Sequence, residues 1–143
     1  MNISTIGNNF NIRFSGANKE QPKMTRTPEE HFKYFTGLIF NNLLERSERE
    51  VPENGQFTPI SASYNIPNSE NRAMLAIECD LTNPKTSRRI SAVSCRKDSD
   101  KLVKSFIFKG TKQEVINYLK DEKNRETFIK TVKQLSDTLD SNN

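Results

Sequence analysis

The stretch ISASYNIPNSENRAMLAIECDL, residues 60–81, decides the fold. On each side of its central turn, apolar residues occupy every second position, as they do in antiparallel strands that bury one face. Pairing Tyr64 with Ala73 brings both apolar sets onto the same face, so the pattern and the loop length agree on the register of a hairpin. Pro59 lacks the N–H group that a sheet ladder needs, which predicts that the first strand lies at an edge. The two strands are predicted over residues 57–66 and 71–81.

Two more strands are predicted downstream, over residues 88–97 and 102–109. In the third strand, Ala92 and Val93 favour opposite faces, and a bulge within this strand would satisfy both because one extra residue switches the face. The fourth strand carries apolar side chains on both faces, which an antiparallel strand with one hydrated face should not show. Either helices cover both of its sides, or its outer side meets a partner.

Capping signals predict where the helices begin. Thr27 and Thr111 each stand three residues before a glutamate, which is the spacing of a capping box. The first helix is predicted to run to about Ser47, and a third helix is predicted to start near Asn124. Gly37 is unfavourable inside the first helix, which indicates that another backbone approaches closely at this point.

These elements predict an α+β fold: an N-terminal helix packed on a four-stranded antiparallel meander sheet, followed by two C-terminal helices. The 143 residues suit one domain, predicted over residues 26–139. Residues 1–25, rich in Asn, Ser and Gly, are predicted to be a flexible N-terminal segment, although an alternating apolar patch could form a short strand over residues 9–15 and protect the open edge at strand four. Residues 140–143 are predicted to be a frayed tail. The alternating patch consists of Phe10, Ile12 and Phe14.

The cysteine and histidine content argues against a metal site. Two cysteines and one histidine, His31, cannot build a common zinc site, so no metal and no cofactor is predicted. Cys79 and Cys95 fall in neighbouring predicted strands but out of register with each other. We therefore expect separate reduced thiols and a reducing, cytoplasmic location.

The start of the chain lacks the basic and long apolar regions of an ordinary secretory signal. No apolar run in the chain, including the one at residues 38–40, is long enough to cross a bilayer, so no membrane partner is predicted. The Ser-, Asn- and Ile-rich leader also resembles the uncleaved start of some bacterial secreted effectors. That resemblance implies an alternative, a leaderless secreted effector domain that is exported without a cleaved signal peptide.

No phosphate-binding loop, dinucleotide fingerprint, serine elbow or zinc-protease motif occurs in the chain. Glu78 and Asp80 stand two residues apart on one predicted strand, a spacing that could suit paired catalytic carboxylates in a small hydrolase or transferase, and a cysteine could serve as nucleophile. Cross-strand ion pairs with neighbouring arginines are the interpretation that we favour for the two carboxylates. The protein is therefore predicted to be non-enzymatic.

Positive charge concentrates between residues 85 and 112. Nine basic residues meet two acidic ones there, and nine minus two leaves a local excess of +7, against +4 for the whole chain. Cations interleaved with phenylalanines could place phosphate contacts and stacking rings on one sheet face, as in proteins that bind single-stranded nucleic acid. A meander followed by a helix is similar in element order to sheet-plus-helix proteins of that kind. The candidate basic and aromatic face consists of Arg88, Arg89, Arg96, Lys104, Phe106, Phe108 and Lys109.

The doubly apolar fourth strand and the local charge together predict a small binding or adaptor protein. It would use the outer surface of strands three and four for protein interaction or self-association. A sequence-tolerant single-stranded nucleic-acid-binding protein is the alternative. Lysines on strand edges have a further interpretation, since they also guard sheets against edge-to-edge aggregation.

Overall fold

A computed structural model describes residues 26–141 and has the predicted α+β architecture. The predicted N-terminal segment and its short strand over residues 9–15 lie outside the described residues. The described elements, in chain order, are helix α1 (Pro28–Glu50), strands β1 (Ile60–Asn65), β2 (Asn71–Cys79), β3 (Arg88–Arg96) and β4 (Leu102–Gly110), and helices α2 (Lys112–Lys120) and α3 (Glu122–Ser141).

Both predicted capping boxes form. The Thr27 hydroxyl accepts a hydrogen bond from the Glu30 amide at 3.1 Å, and the Glu30 carboxylate accepts one from the Thr27 amide at 2.8 Å. Thr111 and Glu114 repeat the arrangement at the start of α2. Helix α3 begins before the predicted Asn124 because the Asp121 carboxylate accepts from a backbone amide of the first turn at 3.0 Å.

The four strands form one antiparallel sheet in the order β1-β2-β3-β4. Tyr64 lies opposite Ala73, as the alternation predicted. Strand β1 lies at an edge of the sheet and begins after Pro59. The Ser61 carbonyl oxygen in this strand accepts a hydrogen bond from Arg46 Nη1 at 2.9 Å. Proline and arginine thus occupy neighbouring positions along this edge.

The bulge lies in β4 and not in the third strand, where a bulge would have reconciled the opposite preferences of Ala92 and Val93. Ile90 lies opposite Phe108, but the next residue, Ser91, lies opposite Phe106, so Ile107 is the extra residue. Strand β3 has no need of a bulge, because side chains on both of its faces are buried. The bulge switches the alternation of β4 between Phe106 and Phe108.

The three helices pack on one face of the sheet, which makes a two-layer structure. Tyr64 from β1 lies at the centre of the shared core, with its hydroxyl 2.8 Å from Thr36 Oγ1 and 3.3 Å from the Phe32 carbonyl oxygen. Burial raises the pKa of the Tyr64 hydroxyl, and the hydrogen bond to Thr36 opposes that shift. Phe40 from α1 meets Phe128 from α3 edge to face, with ring centroids 5.6 Å apart. One core therefore connects the first helix, the sheet and the last helix.

Two details of the helices differ from expectation. A Cβ atom on Gly37 would lie 3.6 Å from the Arg125 guanidinium, so the neighbour of this glycine is a side chain and not a backbone. Helix α3 continues through Ser141, beyond the predicted domain end at residue 139. Asp140, expected in the frayed tail, accepts a hydrogen bond from Asn71 at 3.0 Å and so ties the end of α3 to the sheet.

Candidate functional site on the outer surface of the sheet

The side of the sheet opposite the helices is called here the outer surface. The register of β4 on β3 places three cations on it, Arg89, Lys104 and Lys109. Phe106 and Leu102 are the large apolar side chains that β4 adds to this side, and they are 58 % and 52 % exposed. The outer surface of β4 therefore alternates between positive charge and exposed apolar groups.

Two cations lie close to the ring of Phe106. The Arg89 guanidinium carbon lies 4.0 Å from the centroid of the Phe106 ring, and Lys104 Nζ lies 5.4 Å from it. Cations at such distances are attracted to the face of the ring. The ring remains more than half exposed despite these contacts, which leaves an apolar group with a cationic border open to solvent.

Glu78 on β2 orients the same two cations. Its Oε2 atom lies 2.9 Å from Arg89 Nη2 and 2.9 Å from Lys104 Nζ, so one carboxylate serves both. The predicted cross-strand ion pair of Glu78 is therefore present. One negative charge cannot neutralise two positive ones, and the cluster around Phe106 keeps a positive charge.

Arg88 cannot belong to an accessible binding face, contrary to its place in the predicted set. Its side chain is fully buried and donates to the carbonyl oxygens of Pro52 at 2.8 Å, Gly55 at 2.7 Å and Pro84 at 3.0 Å. Strand alternation is the cause, since Arg88 shares the helix-facing side with Ile90. The parity of these positions is visible in the sequence and could have indicated this.

Arg96 and Phe108 also lie away from the outer surface. Arg96 Nη1 pairs with Asp140 on α3 at 3.3 Å, and the Phe108 ring stacks on Tyr118 of α2 with centroids 4.6 Å apart. The predicted set is thus divided between two faces, and its two rings are not neighbours. Arg89, Lys104, Phe106 and Lys109 remain together on the outer surface.

Asp80 has a role in the β2–β3 turn. Its carboxylate accepts from the Thr82 amide at 3.2 Å, the Thr82 hydroxyl at 3.0 Å and the Ser87 hydroxyl at 3.1 Å. These hydrogen bonds, with the Thr82 amide foremost, hold the pKa of the Asp80 carboxyl below its usual range although desolvation opposes them. Asp80 and Glu78 therefore have separate partners, which does not resemble a shared acid–base pair.

The two cysteines are free thiols on opposite faces of the sheet. Cys79 accepts a hydrogen bond from the Phe57 amide at 3.4 Å. Burial raises the pKa of the Cys95 thiol, and nearby Arg72 opposes that shift. A raised pKa lowers the thiolate fraction, which is the reactive form.

A cavity of about 610 Å³ lies between the start of α1, the β1–β2 turn and α3. Its wall combines Phe32 and Ile66 with the charged Lys133 and Asp137. Sequence analysis missed this cavity because its wall comes from three distant segments. The sequence predicted an ion pair between Glu78 and a neighbouring arginine, but it did not indicate that Lys104 shares the same carboxylate.

Within residues 26–141, no group of three metal-ligating side chains lies together, and no helix of that part has the length and apolarity to cross a membrane. Comparisons with known protein families, with curated proteins and with solved structures find no match for this chain.

Proposed function

We propose that this chain is a small non-enzymatic binding or adaptor protein, and that the outer surface of β3 and β4 receives a protein partner or a second copy. The observation that carries the proposal is the exposed ring of Phe106 with its cationic border. Aromatic and arginine side chains dominate the binding energy of many protein interfaces. The charge of the cluster favours a partner surface that is apolar at its centre and acidic around it.

Two further observations support a binding role over the alternatives. Stacking of successive nucleic-acid bases needs neighbouring rings. Phe106 and Phe108 lie on opposite faces of the sheet, so the predicted set has one ring on the outer surface, which does not favour nucleic-acid binding. Glu78 and Asp80 are each engaged in local hydrogen bonds or ion pairs. The free thiols favour a reducing compartment, so we place the protein in the cytoplasm as part of the same proposal.

The test is affinity capture from the source cell with three forms of the protein: wild type, Phe106→Ser and Leu81→Ser. Leu81 is the matched control because it is 77 % exposed and lies outside the strands. We expect a protein that wild type and Leu81→Ser retain and Phe106→Ser loses. Sedimentation velocity of the same three forms over a range of concentrations tests whether the protein self-associates through this surface.

If Phe106→Ser retains the same proteins as wild type and the same sedimentation behaviour, the outer surface of β4 is not the binding site. Fluorescence anisotropy with a labelled single-stranded oligonucleotide at low salt tests the alternative function, which is binding of single-stranded nucleic acid. Binding there that weakens steeply with added salt would replace the protein-partner proposal with the nucleic-acid one.

A further inference from the structure

Strand β4 is an open edge of the sheet. Within residues 26–141, β3 adjoins it on one side and no strand adjoins it on the other. An edge strand presents unpaired N–H and C=O groups, which can pair with a strand from another chain. The opposite edge is less available, because Pro59 precedes β1 and Arg46 donates to the Ser61 carbonyl oxygen.

The hydrogen bonds between β3 and β4 indicate which backbone groups of β4 point outward. The Arg96 amide donates to the Lys101 carbonyl oxygen at 3.0 Å. In an antiparallel ladder, every second residue directs its backbone groups to the same neighbour, so Val103 and Ser105 bond to β3 as Lys101 does. The intervening residues, which direct their N–H and C=O groups away from β3, are Leu102, Lys104 and Phe106.

These three residues also present charged and apolar side chains to solvent. All three are exposed and stand on the outer surface. Arg89 and Lys104 share the Glu78 carboxylate, which leaves one positive charge without a negative one beside this edge. On the helix-facing side, Val103 is only partly buried. The edge therefore combines free backbone groups with excess positive charge on one face and an incompletely covered apolar group on the other.

We propose that β4 receives an extended acidic segment of a partner protein, which adds to the sheet as a fifth strand. This mode of binding rests on the proposed function, because the added strand would extend the outer surface that holds Phe106. Residues directly opposite each other on neighbouring strands have Cβ atoms about 5 Å apart. A carboxylate opposite Lys104 would therefore supply the missing negative charge, while apolar side chains on the other face would cover Val103.

Charge favours such a segment over a second copy of this chain. Two β4 strands paired around a twofold axis would bring Lys104 and Lys109 of both copies onto one face of a continuous sheet. Like charges on neighbouring strands repel each other. Strand β4 contains no acidic residue that could offset this repulsion.

The test is amide hydrogen exchange of the full-length protein, followed by nuclear magnetic resonance, with a synthetic eight-residue peptide of alternating glutamate and valine. At saturating peptide, we expect the amides of Leu102, Lys104 and Phe106 to exchange about tenfold more slowly. The amides of Val103 and Ser105 should keep their rates, because they already bond to β3. The same peptide with lysine in place of glutamate is the control and should leave every rate unchanged.

A pair of variants tests the contribution of charge at the edge. Lys104→Ser should weaken binding of the glutamate–valine peptide about fivefold in isothermal titration, which is the contribution of one partly exposed ion pair. Lys130→Ser removes the same charge from an exposed position on α3 and should leave the affinity unchanged. Equal weakening by both variants would mean that the peptide responds to net charge alone, which would overturn the inference.

Unchanged exchange at Leu102, Lys104 and Phe106 would overturn it too, whether the peptide fails to bind or lies across the Phe106 ring without pairing to the edge. Slow exchange at Lys104 without peptide would likewise overturn it, because the edge would then already be occupied. Protection that falls on dilution would identify that occupant as a second copy. The proposed function is tested separately, by capture of a partner with wild type and its loss with Phe106→Ser, so the two can fail independently.

Discussion

At the scale of single residues, Arg88 shows how a charged side chain can serve the fold instead of a ligand. Its guanidinium joins the loop that follows α1 to the β2–β3 turn through the carbonyl oxygens of Pro52, Gly55 and Pro84. Gly55 adopts a positive φ of 96°, a conformation that side chains rarely allow, and its amide donates to the Lys85 carbonyl oxygen at 2.6 Å. Arg88 thus secures two loops that share no strand.

We expect Arg88→Met to lower the free energy of unfolding by about 3 kcal/mol, because it leaves three partly buried carbonyl groups without donors. Urea denaturation followed by circular dichroism measures the change. Arg49→Met is the control, since Arg49 is mostly exposed on α1 and should change stability by less than about 0.5 kcal/mol. Equal stability of the two variants would show that the three carbonyl hydrogen bonds contribute little.

At the scale of elements, the bulge in β4 determines which aromatic side chain reaches solvent. Ile107 is the extra residue, so Phe106 points outward while Phe108 packs on α2. Both Ile107 and Phe108 pack against the core. The two apolar faces of β4 therefore have different roles. One packs against the core, and the other presents Phe106 on the candidate interaction surface.

Deletion of Ile107 should be tolerated, because it restores a regular ladder while Phe106 and Phe108 keep their faces. We expect a loss of about 1–2 kcal/mol from the partly buried isoleucine. Deletion of Ser105 should cost more, since it brings either Phe106 or Lys104 onto the helix-facing side. Thermal unfolding compares the two deletions, and equal destabilisation would contradict the assignment of the bulge.

The sequence was informative where structure depends on local contacts. The two capping boxes involve residues three apart, and the β1–β2 register follows from strict alternation across a short turn. The position of the bulge could not be read from Ala92 and Val93, because both are buried on opposite faces and neither forces an extra residue. The buried position of the Arg88 side chain depends on loops that are distant in sequence. A prediction based on charge alone therefore assigned it wrongly to a binding face.

At the scale of the whole molecule, the described chain has one core, which includes side chains from all three helices and the sheet. The end of α3 is tied back to β2 and β3 through Asp140, so the last helix is integrated with the sheet. Such a core predicts unfolding in one cooperative step.

We expect Phe40→Ala to lower stability by about 3 kcal/mol, because it opens a cavity beside Phe128 at the centre of the core. Helix content by circular dichroism and tyrosine fluorescence should lose their signals at the same urea concentration in wild type and variant alike. Leu81→Ala, at an exposed position, should leave the midpoint in place. Separate midpoints for the two probes would mean that the helices and the sheet unfold independently.

The edge formed by β1 has a consequence for how copies of this chain can join. Pro59 offers no amide hydrogen there, and Arg46 already occupies the Ser61 carbonyl oxygen. Strand pairing between copies therefore finds fewer free hydrogen-bonding groups along β1 than along β4, which favours a pair joined through β4 over a continuous fibril.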